Sequence, residues 1–178
     1  MIRKIILSAL LLPAIGKLSA QPTTGTIRQL LFRSVYVVPH NLPFKGTIVG
    51  GLSGIDLDPG TGQYYLISDD RSAINPARFY TARIGIRQDG IDTVIFQNVT
   101  MLLQPNGKPY PNSQEDPIHT PDPEAMRYNP EPHQLVWSSE GERIVKAGDT
   151  VLENPAITTI QPNGQFVAAY TLPPNITM

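Results

Sequence analysis

Beyond residue 20 the chain alternates short apolar, β-branched runs with turn dipeptides, and no window keeps apolar residues at helical spacing for three turns. The pattern predicts strands over Leu30–Val38, Gly54–Leu57, Tyr64–Ile67, Phe79–Ile84, Thr93–Val99, Gln134–Trp137, Ala156–Ile160 and Phe166–Tyr170. Between them stand Asp58-Pro59-Gly60, Asp89-Gly90, Asn129-Pro130 and Asn163-Gly164. These residues tolerate the backbone angles of tight turns, so neighbouring strands are expected to be hairpin partners. The pattern lapses over 104–123, where Pro105, Pro109, Pro111, Pro117, Pro121 and Pro123 are mixed with acids and amides. That stretch is expected to be an extended surface loop, and loops of such length inside a domain often carry function.

Sliding the sequence by 71 residues lays Gly54-Ile55-Asp56-Leu57-Asp58-Pro59 on Ala125-Met126-Arg127-Tyr128-Asn129-Pro130. The match continues from Gln63-Tyr64-Tyr65-Leu66 onto Gln134-Leu135-Val136-Trp137, and Ser68-Asp69 falls on Ser139-Glu140. Each copy reads as a strand, a D/N-P turn, a second strand, then serine and an acid. A repeated hairpin of this kind is the mark of radial β repetition, as in propellers, where a blade needs neighbours to bury its faces. The offset exceeds the usual blade length of about 40–50 residues. Either the proline-rich loop is an insertion, or an intervening blade has lost the signature. The expected fold is all-β, a β-propeller-like array of antiparallel blades.

Composition narrows the chemistry. With 18 Pro and 14 Gly, long helices are disfavoured, while 40% hydrophobic and 16% charged residues supply a core. The absence of cysteine excludes disulfides, thiolate zinc sites and a cysteine nucleophile. A net charge of −1 gives no footprint for nucleic acid. Residues 1–20 read as a secretory signal peptide: Arg3 and Lys4, an apolar run from Ile5 to Ile15, and small residues ending at Ala20. That run is too short to span about 30 Å of hydrocarbon. A secreted or periplasmic domain over 21–178, with no membrane span after cleavage, is the expected product.

Acids gather at the hairpin ends: Asp69 and Asp70 after Ile67, Glu140 and Glu142 after Trp137, and Asp122 and Glu124 before the second copy. Carboxylates on strand-end loops can hold a hard cation such as calcium, or divide into a general acid and base. Arg71 and Arg127 lie beside them, and a guanidinium fork suits phosphate or carboxylate. Aspartate and serine at strand ends also make simple side-chain turns, so it is the repetition of the acids that points to a site. His40, His119 and His133 have no metal-ligand spacing. Gly50-Gly51-Leu52-Ser53-Gly54 contains G-x-S-x-G but runs into a strand, whereas a nucleophile elbow needs a helix there. These glycines are expected to permit close packing or a strand bulge.

Taken in order, Gly50-Gly51-Leu52-Ser53-Gly54-Ile55-Asp56, Ile67-Ser68-Asp69-Asp70-Arg71, Ala77-Arg78-Phe79-Tyr80, Asp122-Pro123-Glu124-Ala125-Met126-Arg127 and Ser139-Glu140-Gly141 resemble the phytase-like family, described as having esterase-like activity of phytase. The resemblance runs from about Phe44 to Pro173. It implies an exported bacterial β-propeller-like domain acting on phosphoesters or phosphodiesters. It also implies Asp69, Asp70, Glu124 and Glu140 as metal ligands, Glu124 and Glu140 also as catalytic carboxylates, and Arg71 and Arg127 as phosphate contacts. Ala125 stands where the family often has glycine, and members continue into a further blade not found here. The chain is therefore expected to be the N-terminal part of a propeller, completed by further blades or a partner chain. Two functions follow from this reading. One is a calcium-assisted phosphoesterase acting on a phosphorylated small molecule or phosphodiester; the other is a non-catalytic exported propeller that binds a ligand or partner, with structural calcium.

Overall fold

The computed structural model describes residues 27–177. The chain divides between Phe32 and Arg33. Of the first unit, 27–32 are described, and they are exposed and without regular structure. The expected signal segment at 1–20 lies outside the described residues. No helix among the described residues is long and apolar enough to cross a membrane.

The second unit begins its regular structure with a short hairpin, β1 (Leu42–Phe44) and β2 (Thr47–Val49). A four-stranded antiparallel meander follows: β3 (Leu52–Asp58), β4 (Gln63–Ser68), β5 (Arg78–Arg87) and β6 (Gly90–Met101), hydrogen-bonded in that order. The second four-stranded sheet opens with β7 (Pro123–Asn129) and β8 (Gln134–Ser139). A separate hairpin, β9 (Glu142–Lys146) and β10 (Asp149–Glu153), is inserted before β11 (Ala156–Ile160) and β12 (Phe166–Ala169) complete the sheet.

The 71-residue repeat is a structural repeat. β3 and β7 carry the same bounds at that offset, as do β4 and β8. Each first strand is bulged at the matching place, between Leu52 and Gly54 and between Pro123 and Ala125. Each second strand ends in the same backbone bond, Asp69 N–H to Gly51 O (2.7 Å) and Glu140 N–H to Asp122 O (3.2 Å). The proline-rich stretch connects one sheet to the next, with one 3-10 turn at Pro117–His119, so no intervening sheet accounts for the long offset. The chain is all-β, and its two sheets are not closed into a ring among the described residues.

The core lies where the sheets face each other. Alternate residues of β8, Leu135 and Trp137, meet Met126 of β7, Tyr65 and Ile67 of β4, Phe79 of β5 and Leu102. Full burial of each such side chain contributes about 1.5–3 kcal/mol. Tyr128 stacks on Tyr65 with ring centroids 5.6 Å apart. β3 and β7 are joined by Tyr128 N–H to Asp56 Oδ2 (2.8 Å) and Arg127 Nη1 to Ile55 O (3.3 Å). They approach closely at Gly54, where a Cβ would lie 2.9 Å from Met126 N and 3.0 Å from Ala125 Cα. The glycine-rich segment thus supplies both the bulge and the close packing expected of it.

One expected strand is absent. Positions 30–38 form no strand, and Leu30, Phe32, Val35 and Val37 are exposed. The apolar alternation is present in the sequence, but no neighbouring strand pairs with it. Ser34 tethers this stretch, its Oγ accepting from Ile91 N–H at 2.8 Å.

Candidate carboxylate site

The bulge in β7 explains how a strand delivers an acid to the sheet end. Pro123 pairs with Ser139 and Ala125 with Ser138, so Glu124 is the extra, unpaired residue. A bulge re-aims the side chain it carries. Ser139, 4% exposed, fixes the neighbouring backbone: its Oγ accepts from Asp122 N–H at 3.0 Å and from Gly141 N–H at 3.2 Å. Gly141 has φ of 72°, so the chain turns sharply after Glu140 in a region that favours glycine. Asp122, Glu124 and Glu140 each place a carboxylate oxygen within 4.8 Å of the other two.

Burial and convergence shift the carboxyls. Burial pushes the Asp122 carboxyl above its ordinary value; Arg71 opposes this, and Glu140 and Asp69 add to it. Burial also raises Glu124, with Glu140, Asp122 and Asp69 reinforcing the shift. Asp69 occupies in the first sheet the place that Glu140 occupies in the second, so the repeat brings two acids from different sheets into one field. Its carboxylate makes no hydrogen bond or ion pair with a described residue.

Two residues expected at the site have other duties. Both oxygens of Asp70 are engaged: Oδ1 accepts from Ala73 N–H (2.9 Å) and Ile74 N–H (3.1 Å), and Oδ2 from Asn75 N–H (2.9 Å) and Arg78 Nη1 (2.8 Å). Burial pushes this carboxyl up, but the donors from Ile74, Arg78 and Asn75 outweigh it and hold it below the usual range. Asp70 thus organises the loop after β4 and, although expected among the ligands, does not belong to the group formed by Asp122, Glu124 and Glu140. Arg71 donates Nε to Thr120 O (3.2 Å) and Nη2 to Pro117 O (2.8 Å), and it pairs with Glu142 and Glu153. It ties the proline-rich connection and the β9–β10 hairpin to the loop after β4, and its fork is filled. Arg127 donates Nη1 to Met126 O (2.8 Å) as well as to Ile55 O, and remains exposed.

Asp122 enters the group although the repeat gave no reason to count it as a ligand. Its partner position in the first copy is Gly51, so the comparison showed no acid there. Gly51 has φ of 54°, and a Cβ there would lie against the Asp69 carboxylate. Glu142 and Glu153, the partners of Arg71, were not legible as such because both pairs are long-range.

A family model for phytase-like proteins, described as esterase-like activity of phytase, matches residues 47–178. The chain belongs to the phytase-like family. No curated protein and no solved structure gives a significant match. The matched span of this phytase-like chain contains both four-stranded sheets and all four converging acids.

The raised carboxyls set a pH dependence. Because their folded values exceed their unfolded ones, the native state holds extra protons from about pH 4 up to the raised values. Stability in that window falls as pH rises. In chelator, Asp122→Asn and Glu124→Gln are expected to melt with the parent near pH 4 and above it at pH 7. Melting scans across that range check this, and variants that melt below the parent at pH 7 would show that the carboxylates do not repel one another.

Proposed function

We propose that this phytase-like chain is an exported, metal-assisted hydrolase of phosphoesters or phosphodiesters, its two sheets being adjacent propeller blades with β3 and β7 innermost. The observation that carries the reading is the convergence of Asp122, Glu124 and Glu140 at one sheet end, with Asp69 alongside. The donor set fits a hard divalent cation: every group is a carboxylate oxygen, and mutual repulsion is what such an ion relieves. Calcium is the assigned ion, held by these three acids and Asp69. A divalent cation at such a site polarises a phosphoryl oxygen and lowers the pKa of a bound water. Arg127, exposed and three positions beyond Glu124, is the guanidinium left to meet a phosphate oxygen, since Arg71 is filled by its own pairs.

Turnover of p-nitrophenyl phosphate and bis(p-nitrophenyl) phosphate is measured with calcium and with chelator. Chelation, Glu124→Gln and Glu140→Gln are each expected to lower the rate about 100-fold or more without lowering the melting temperature of the metal-free protein. If neither ester turns over and chelation changes nothing, the hydrolase reading is wrong. The alternative, structural calcium in a ligand-binding propeller, draws on the backbone bonds by which Asp122 joins β7 to Ser139 and Glu140. It predicts a calcium-dependent rise in melting temperature, lost in both variants, with no turnover.

A further inference from the structure

A cavity of about 630 Å³ opens beside Asp69. Gly50, Gly51 and Leu52 line it, and its apolar residues include Val38, Ile48 and Ile74. Asp69 lines this cavity and also acts on the charges of Asp122 and Glu124, so the cavity and the carboxylate group share a residue. The other polar residues lining it are His40, Asn41, Asp70, Arg71 and Arg78, and the last three are occupied. Asp70 is filled by its backbone donors and Arg78, and Arg71 by Glu142, Glu153 and two carbonyls. Arg78 donates to Asp70, to the Tyr80 hydroxyl (2.6 Å) and to Ile48 O (2.8 Å). The cavity thus offers an open, mainly apolar lining, with His40, Asn41 and one unpaired carboxylate as its free polar groups and no unpaired arginine.

That chemistry selects among esters. A polyphosphorylated substrate such as inositol hexakisphosphate needs several free cations, and a single divalent cation held among four acids supplies too few. An uncharged alkyl or aryl group gains from leaving water for such walls. We infer that the cavity beside Asp69 receives the apolar organic group of a substrate carrying a single phosphoryl group, and that inositol polyphosphates are excluded. The inference rests on the hydrolase reading for the reaction, and on the cavity alone for the preference.

The test uses the full chain with calcium and a series of alkyl p-nitrophenyl phosphates from methyl to hexyl, the leaving group held constant. Binding of methyl and hexyl phosphate, and of inositol hexakisphosphate, is measured in parallel by calorimetry. kcat/KM and affinity are each expected to rise about fourfold per methylene over the first few carbons. Ile74→Asn and Val38→Asn are expected to shrink the hexyl-to-methyl ratio to less than about twofold. Ile74 is 71% exposed and Val38 lies outside any strand, so neither change threatens folding. Turnover without chain-length dependence, or tighter binding of inositol hexakisphosphate than of hexyl phosphate, overturns the cavity assignment and leaves the hydrolase reading standing. Chain-length-dependent binding without turnover overturns the hydrolase reading and supports the cavity. Failure of both binding and turnover overturns both.

Discussion

Arg78→Met is expected to lower the melting temperature by on the order of 10 °C, the largest stability effect of any single substitution considered. Arg78 is 1% exposed, and its side chain bonds Asp70, Tyr80, Ile48 O, Asn75 O and Pro76 O. It thereby ties β2 to the loop that leaves β4. Methionine fills much of the volume but leaves Asp70 buried without its counter-charge, and breaking a buried pair from one side costs about 3–5 kcal/mol. Arg78→Lys keeps a charge but loses the fork, so it is expected to fall between the two. The pH dependence has a definite sign. Asp70 has a depressed folded value, so the stability it contributes is present above its unfolded value and lost as pH falls through the folded one. The gap between parent and Arg78→Met should therefore narrow on acidification below about pH 4. A variant melting within about 2 °C of the parent at pH 7 would show that this cluster does not hold β2 to the loop after β4.

Gly54→Ala is expected to damage both fold and site. The added Cβ meets backbone of β7, at Met126 N and Ala125 Cα, and the Ile67 side chain at 3.0 Å. Backbone cannot rotate away, so β3 and β7 must separate, and overpacking of this kind costs about 1–3 kcal/mol. The strand displaced is the one whose bulge carries Glu124, which links the packing to the carboxylate geometry. The expected result is a lower melting temperature together with a smaller calcium-induced rise. Gly50→Ala is the control: nothing lies within 4 Å of its Cβ, and it is expected to change stability by less than about 0.5 kcal/mol. Equal melts for the two variants would mean that the strands give way freely at this point.

Much of the architecture was legible because it is written twice. The recurrence of Asp/Asn-Pro turns and of Ser followed by an acid located four strands, to which the structure adds their shared bulge and the closing backbone bonds. Comparison at a fixed offset fails after Glu140 because the β9–β10 hairpin shifts everything beyond it. That hairpin was missed, since Glu142, Arg143 and Lys146 interrupt the apolar alternation of β9. The opposite error, a strand at Leu30–Val38, arose because alternation records what a segment can pair with and not whether a partner arrives. In the site, sequence could not separate Asp69 from Asp70. Both follow Ser68, and the difference lies in the N–H groups of residues 73–75, which curl back onto Asp70 alone. Asp122 was visible as an acid, but its membership depends on Ser139 holding its backbone across the sheet end.

Trp137 is the chain's single tryptophan, and it lies 2% exposed at the face where the two sheets meet. Tyr110, from the proline-rich connection, sets its ring edge-on at 6.1 Å, and the indole N–H has no partner among the described residues. The molecule thus contains its own optical gauge. Any event that parts the sheets admits water to an indole held in apolar surroundings, and emission moves to the red with no other tryptophan to blur the signal. Opening of the connection alone removes the tyrosine neighbour first, so fluorescence separates loosening of the loop from undocking of the sheets without a label.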